Sequence, residues 1–361
     1  MKMRKIVCSF MISVLCFMTA ISGVSATSYD TSKINAAYSK VVEYYKNNNN
    51  LNNADKILAV ESLGLEAESN QFDTSSADLS STSLSKKIVT EVLLGVDPTE
   101  DKKTLESQID ENGNVEGSWG ASSDVWTLYA LYVTSSEKAN LIANKLNDEL
   151  AASSVCGYEW GGTYYADYDT TGWVIEGLAV VNKEKYATTI NKAIDYIKNN
   201  TTMTTTGWVT ADNVDTQSQV LEGMFAYDTN ALLNDSYTVH PVDCLLNTQL
   251  SDGSFPSGYN AEYTTAEVAK TLGTYKNGSV IIKAKKAYDK KMNPEQPDNT
   301  KPARPTDTKK DSQSTNKVET TNQKTTSVKT GDETNVVIFV SLSMVSGGLF
   351  LVLRKEYERV H

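Results

Sequence analysis

Four segments of this chain align on one another without gaps: SSDVWTLYAL (122–131), DTTGWVIEGL (169–178), DTQSQVLEGM (215–224) and YTTAEVAKTL (263–272). Their last residues, Leu131, Leu178, Met224 and Leu272, are 47, 46 and 48 residues apart. Weaker copies lie at ADKILAVESL (54–63) and LSKKIVTEVL (84–93). A period of this length constrains the fold more than any other feature. It is the length of a helical hairpin, which buries its apolar face only by stacking on its neighbours. Val174, Val220 and Val268 share one column of the alignment, and Glu176, Glu222 and Lys270 share another.

Each frame is small or apolar on nearly every side, which predicts a helix buried all round. The segments EKYATTINKAIDYIKNN (184–200) and VIIKAKKAYDKKM (280–292) carry charge on one face and Ile, Ala and Tyr on the other. Those are expected to be outer helices packed on one side. The prediction is an all-α domain of six inner and about six outer helices, wound into a closed ring, with an open solenoid as the alternative. Glycine-aromatic turns precede the inner helices: GSW (117–119), YEWGG (158–162), GW (207–208) and DGSF (252–255). Glycine lets the chain reverse at positive φ, and Trp119, Trp208 and Phe255 are expected to plug the wedges between hairpins.

The folding stretch, 28–292, has three prolines (Pro98, Pro241 and Pro256) and is long enough for one sizeable core. Ahead of it, residues 1–26 have the basic start, apolar middle and Val24-Ser25-Ala26 finish of a secretory signal. Behind it, 293–329 is rich in Pro, Thr, Lys and Asp, the composition of a disordered stalk. Val336 to Leu353 is an uncharged run of 18 residues followed by Arg354, Lys355 and Arg359. That is long enough to cross a bilayer as a helix, with the basic tail in the cytoplasm. The folded part would then lie outside the cell.

The whole chain has 34 basic against 45 acidic residues, and the signal removes three of the basic ones. Such an acidic domain repels nucleic acid and anionic wall polymers. Cys156 and Cys244 remain after the signal is lost, and outside the cell they have the option of one disulfide.

Two resemblances add to this reading. Thr330-Gly331 in SVKTGDETN (327–335), followed by the apolar span and basic tail, resembles the cell-wall sorting signal of Gram-positive bacteria, although Ser327-Val328 stands where that signal has Leu-Pro. The resemblance implies that a sortase joins Thr330 to peptidoglycan; a plain membrane anchor is the alternative. The hairpin period, together with the Gln-xxx-Gly-x-aromatic turn of QLSDGSF (249–255), resembles the terpenoid cyclase/protein prenyltransferase α/α-toroid superfamily. Within it, residues 83–131 look most like bacterial surface members, which are related to the toroid of vertebrate cobalamin carriers. Cobalamin is therefore an implied candidate ligand, although the carriers' second, β-rich domain is missing here.

The same resemblance directs attention to DYDTTGWVIEGL (167–178), where Asp167 and Asp169 match the first two acids of a cyclase motif whose third acid is here Thr170. Proton donation to an alkene needs a neutral, dry carboxylic acid. The recurrence of Asp215 in the column of Asp169, with Ser122 and Asp124 at the matching helix start, points to helix capping instead. His240, Asp243 and Cys244 in HPVDC would share one helical face, whereas the resemblance to prenyltransferases implies zinc held by an Asp-x-Cys pair and a distant histidine. A helix start with Pro241 in its first turn accounts for the same residues, and no metal is expected. No Ser/His/Asp set, thioester motif or phosphate loop is present in the sequence.

What remains is the rim where turns meet inner helices. Tyr164, Tyr165, Asp167, Tyr259 and Trp126 are the expected ligand contacts, because rigid aromatics with polar tips suit a ligand or partner. The sequence thus predicts a surface-anchored binding domain, with a cyclase-like enzyme using Asp169 as general acid as the alternative.

Overall fold

A computed structural model describes residues 29–68, 80–205, 207–208, 213–257 and 259–292. The expected signal (1–26), the expected stalk (293–329), Thr330 and the apolar span 336–353 lie outside these residues. Among the described residues the chain is mainly helical, and no helix is long and apolar enough to cross a membrane.

The helices are α1 (Thr31–Asn47), α2 (Ala54–Ser62), α3 (Ser81–Leu93), α4 (Thr99–Ser107), α5 (Ala121–Val133) and α6 (Ala139–Ser153). A hairpin, β1 (Gly157–Trp160) and β2 (Thr163–Ala166), leads into α7 (Tyr168–Asn200) and α8 (Val214–Asn234). Then come α9 (Pro241–Leu246), α10 (Ala261–Asn277) and α11 (Val280–Met292). The two long helices each bend four residues after the repeat's last column, at Asn182 (φ −168°, ψ 88°) and Asp228 (φ −155°, ψ 92°). Each bend residue caps the half that follows: Asn182 Oδ1 accepts from Lys185 N–H at 2.9 Å, and Asp228 Oδ1 from Ala231 N–H at 2.9 Å. An inner and an outer helix are thereby joined without a loop, because a short polar side chain satisfies the freed amides at the corner.

All six repeat frames are helical. They touch in cyclic order: α2 meets α3, α3 meets α5, α5 meets α7, α7 meets α8, α8 meets α10, and α10 returns to α2. Val174, Val220 and Val268 are fully buried, as are Leu131 and Leu178, with Met224 and Leu272 nearly so. The closest approach is α7 on α8. A Cβ on Gly223 would stand 2.3 Å from the Gly172 carbonyl oxygen, and one on Gly172 would stand 2.4 Å from that of Gln219. Only glycine permits this spacing.

Three local outcomes differ from the sequence expectation. YEWGG forms part of a β-hairpin, pairing Tyr158 with Tyr165 and Trp160 with Thr163. Gly161 and Gly162 both have positive φ (57° and 75°), which two-residue hairpin loops require. Trp208 and Phe255 are fully buried plugs, but Trp119 is 61 % exposed. The backbone there is tied to the hairpin instead, its carbonyl accepting from Glu159 N–H at 2.6 Å.

Helix α11 is the third. It does pack on one side, burying Val280, Ile281, Ala284 and Tyr288, but against inner helices α2, α3, α5 and α10. Its lysines reach the C-terminal ends of three of them: Lys283 to Glu61 O, Lys285 to Ser135 Oγ and Lys291 to Gly95 O. Cations suit those ends, where unpaired carbonyls concentrate negative potential.

Candidate functional site

The column that holds Glu176, Glu222 and Lys270 faces inward, and all three side chains are buried. Lys270 Nζ lies 3.0 Å from Glu267 and 3.8 Å from Glu222. Tyr129 OH donates to Glu176 at 2.9 Å, Ser279 donates to its other oxygen at 2.6 Å, and Thr274 lies 3.3 Å from Glu222. Burial pushes Glu222 and Glu176 up, because a carboxylate loses its hydration there; Lys270 and hydroxyl donors oppose this only in part. Burial also pulls Lys270 down, but Glu267 and Glu222 more than offset it and hold the ammonium charged. The buried column between these helices therefore holds an ion pair of Lys270 and Glu267, flanked by carboxyls that favour their protons.

Closer to the helix starts, a second column gathers: Asp169, Asp215 and Tyr263 occupy the same repeat position. Burial pushes Asp169 up to about 7, opposed by a hydrogen bond with Thr216 and reinforced by the charges of Asp167, Asp215 and Glu267. Asp215 is raised too, first by burial. Neither is the helix cap. Asp167 caps α7, accepting from Thr170 N–H at 2.7 Å and from its hydroxyl at 3.0 Å, while Asn213 caps α8. Gly120 starts α5 without any side-chain cap, and Asp124 pairs with Lys145 at 2.9 Å. The capping function in this fold belongs two positions upstream of the recurring aspartates. Asp169 and Asp215 instead sit half-buried in the first turns, in reach of the next helix.

Trp126 is 3 % exposed. It stands edge-on to Tyr129 and Trp173, with Lys86 Nζ 4.5 Å and Lys270 Nζ 5.4 Å from its ring centroid. In this arrangement the indole offers its face to the protein's own cations.

The other expected aromatic contacts lie on the surface. Tyr164 and Tyr165 are on β2, and Tyr158 and Trp160 on β1, all exposed, with Trp119 beside them. Tyr158 and Tyr165 stack across the strands at 5.5 Å, and Tyr164 OH donates to Glu149 at 2.8 Å. Gly157 Cα abuts the Tyr165 carbonyl so closely that a Cβ would be 1.9 Å from it, which locks the two strands together. The hairpin thus carries aromatic side chains into solvent. Tyr259 is almost fully exposed on the loop before α10 and is not among these aromatics.

The HPVDC residues go to separate partners. His240 caps α9, accepting from Val242 N–H through Nδ1 at 3.2 Å while Nε2 faces Leu232 O. Asp243 receives Tyr29 OH at 2.7 Å and Lys33 Nζ at 3.0 Å, and Cys244 Sγ contacts Thr204 O. Among the described residues no group of His, Cys, Asp and Glu is arranged to hold a metal ion. Cys156 and Cys244 are separate buried thiols.

Sequence reasoning missed the hairpin plate, whose signal was the Gly-Gly pair between two aromatic runs. It also missed the ionic interior, signalled by a lysine in a glutamate column. Comparison with family models, curated proteins and solved structures finds no match.

Proposed function

We propose that this chain is an exported, envelope-anchored α/α toroid that binds a ligand or surface partner through the aromatic face of its β1–β2 hairpin. The observation that carries this reading is the cluster of Trp119, Tyr158, Trp160, Tyr164 and Tyr165, held exposed on a stacked, glycine-locked hairpin. Large aromatics left in water are the side chains that contribute most on association, since Tyr and Trp have few torsions to fix. The cyclic succession of inner helices supports the toroid, and the leader, stalk and tail sequences support export and anchoring through sortase or a membrane helix.

Site-specific photo-crosslinking on intact cells tests the contact surface. A photoreactive residue in place of Tyr165 should give adducts that the same residue in place of exposed Leu141 does not; equal yields at the two positions would remove the hairpin as the contact. Titration with cobalamin tests the ligand implied by the toroid carriers. Quenching of tryptophan fluorescence that disappears in Trp160→Ala supports it, and an unchanged signal rejects cobalamin.

A second reading, a cyclase-like enzyme, is favoured by one observation: Asp169 is raised to about 7, so it is partly protonated near neutrality and able to act as an acid. Turnover of isoprenoid substrates by wild type but not by Asp169→Asn would establish it, and equal or absent turnover in both would dispose of it.

A further inference from the structure

The two edges of the β1–β2 hairpin are not alike. In its register Glu159 faces Tyr164 and Gly157 faces Ala166, and these four residues turn their backbone N–H and C=O groups away from the opposite strand. On the β1 side that edge is taken. Glu159 N–H donates to Trp119 O at 2.6 Å, and Gly157 N–H faces the Glu149 carboxylate. On the β2 side it is open: among the described residues no hydrogen bond engages the N–H or C=O of Tyr164 or of Ala166. β1 also packs on α5 and α7, whereas β2 makes its main contacts with β1. All four residues of β2 are exposed.

Unpaired N–H and C=O groups along a strand are a template for another strand, and proteins usually blunt such an edge with a charge, a proline or a bulge. β2 carries none of these. Thr163, Tyr164, Tyr165 and Ala166 are uncharged and include no proline, and the pairing runs from Gly157 to Trp160 without a bulge. What the edge offers is a donor and an acceptor at each of two residues spaced by two. An extended main chain has the same spacing and matches all four groups.

Charge selects the sign of the added strand. From 146 to 182 the sequence has six acidic residues and no basic one, and Glu149 and Glu159 lie at the hairpin itself. Such a field draws in a basic segment. It opposes a second copy of this chain, whose own acids would be brought up against these. Tyr164 and Tyr165 stand on opposite faces of β2, so successive side chains of an added strand would meet one ring or the other. Lysine or arginine at those positions gains a cation–π contact.

We infer that the free edge of β2 takes a basic, extended segment of a partner protein as a third strand, held by main-chain hydrogen bonds to Tyr164 and Ala166. This rests on the hairpin being the contact surface and names what that surface holds. Pairing of two copies through the same edge is the competing arrangement, and the experiment separates it.

Fluorescently labelled peptides are titrated with the full chain in detergent and followed by anisotropy. The probes are alternating Lys-Val, alternating Glu-Val, alternating Lys-Gly, and the Lys-Val peptide methylated at every backbone nitrogen. Lys-Val should bind with a Kd below about 1 mM. The other three lack the right charge, strand propensity or main-chain donors, and should bind tenfold or more weakly. Ala166→Pro removes only an outward N–H that the hairpin does not use, and should weaken Lys-Val binding tenfold or more, while Ala166→Ser keeps the N–H and should match wild type. No binding of Lys-Val, binding that survives methylation or Ala166→Pro, or equal binding of Lys-Gly overturns the assignment. If Trp160→Ala weakens binding that Ala166→Pro leaves intact, the hairpin remains the contact surface and only strand addition falls. A dimer in sedimentation that Ala166→Pro dissociates gives the edge to a second copy and likewise overturns the proposal.

Discussion

Replacing Asp169 by Asn should stabilise this protein at alkaline pH, because it removes a poorly hydrated charge and keeps the side-chain shape. Its carboxyl is raised to about 7 by burial and by Asp167, Asp215 and Glu267. An unfolded aspartate titrates near ~3.9, so between these values the native state holds a proton that the unfolded state has released. Stability from this group is therefore greatest below pH ~4, falls as pH rises toward 7, and is fully lost above it. About three pH units at ~1.36 kcal/mol each set a ceiling of ~4 kcal/mol. Because the carboxyl is only half-buried, solvent screening reduces this to roughly 2 kcal/mol. Asparagine has the same shape and no charge, and its amide oxygen still accepts from Thr216. In urea, with a slope of about 2–3 kcal/mol/M, the unfolding midpoint of Asp169→Asn should rise by roughly 0.7–1 M at pH 8. At pH 4 the two midpoints should nearly coincide. A lower midpoint for the variant at pH 8, or the same gap at both pH values, refutes the electrostatic argument.

Asp167, which is the cap, should behave oppositely: Asp167→Ala loses the hydrogen bond to Thr170 N–H and about 1 kcal/mol in the same urea assay. Gly223→Ala places a methyl 2.3 Å from the Gly172 carbonyl, forcing α7 and α8 apart; calorimetry should show a loss of about 1–3 kcal/mol despite alanine's better helix propensity. Lys270→Met leaves Glu267 buried without its cation and should cost about 3–5 kcal/mol at pH 8, a loss that shrinks at acid pH as the carboxyls take up protons. Thr330→Ala should move the protein from the wall fraction to the membrane fraction if sortase acts there, whereas unchanged fractionation favours the plain anchor.

Much of the framework was legible in the chain. The recurring frames located all six inner helices, and their valine and leucine columns are the buried ones, because burial on every side leaves no room for polar variation. The HPVDC helix start was readable for a similar local reason, since a proline in the first turn and a capping side chain act within one turn. The candidate contacts were read less well. Trp126 and Trp119 have similar sequence settings, yet one is enclosed by Tyr129 and Trp173 and the other is displaced outward by a hairpin formed forty residues later.

By itself, then, the sequence determined the period, the helical class and the buried columns, since these depend on spacing along one segment. Only the tertiary structure decided what the inward-facing charges meet, which aspartate caps and which is strained by its neighbours, and where α11 docks. The Lys270–Glu267 pair and the Asp167 cap each lie within one helical turn. The groups that close around the buried charges, such as Tyr129 and Ser279 on Glu176 and Glu222 beside Lys270, come from segments far apart in the chain, and the energy of a buried charge is set by those groups.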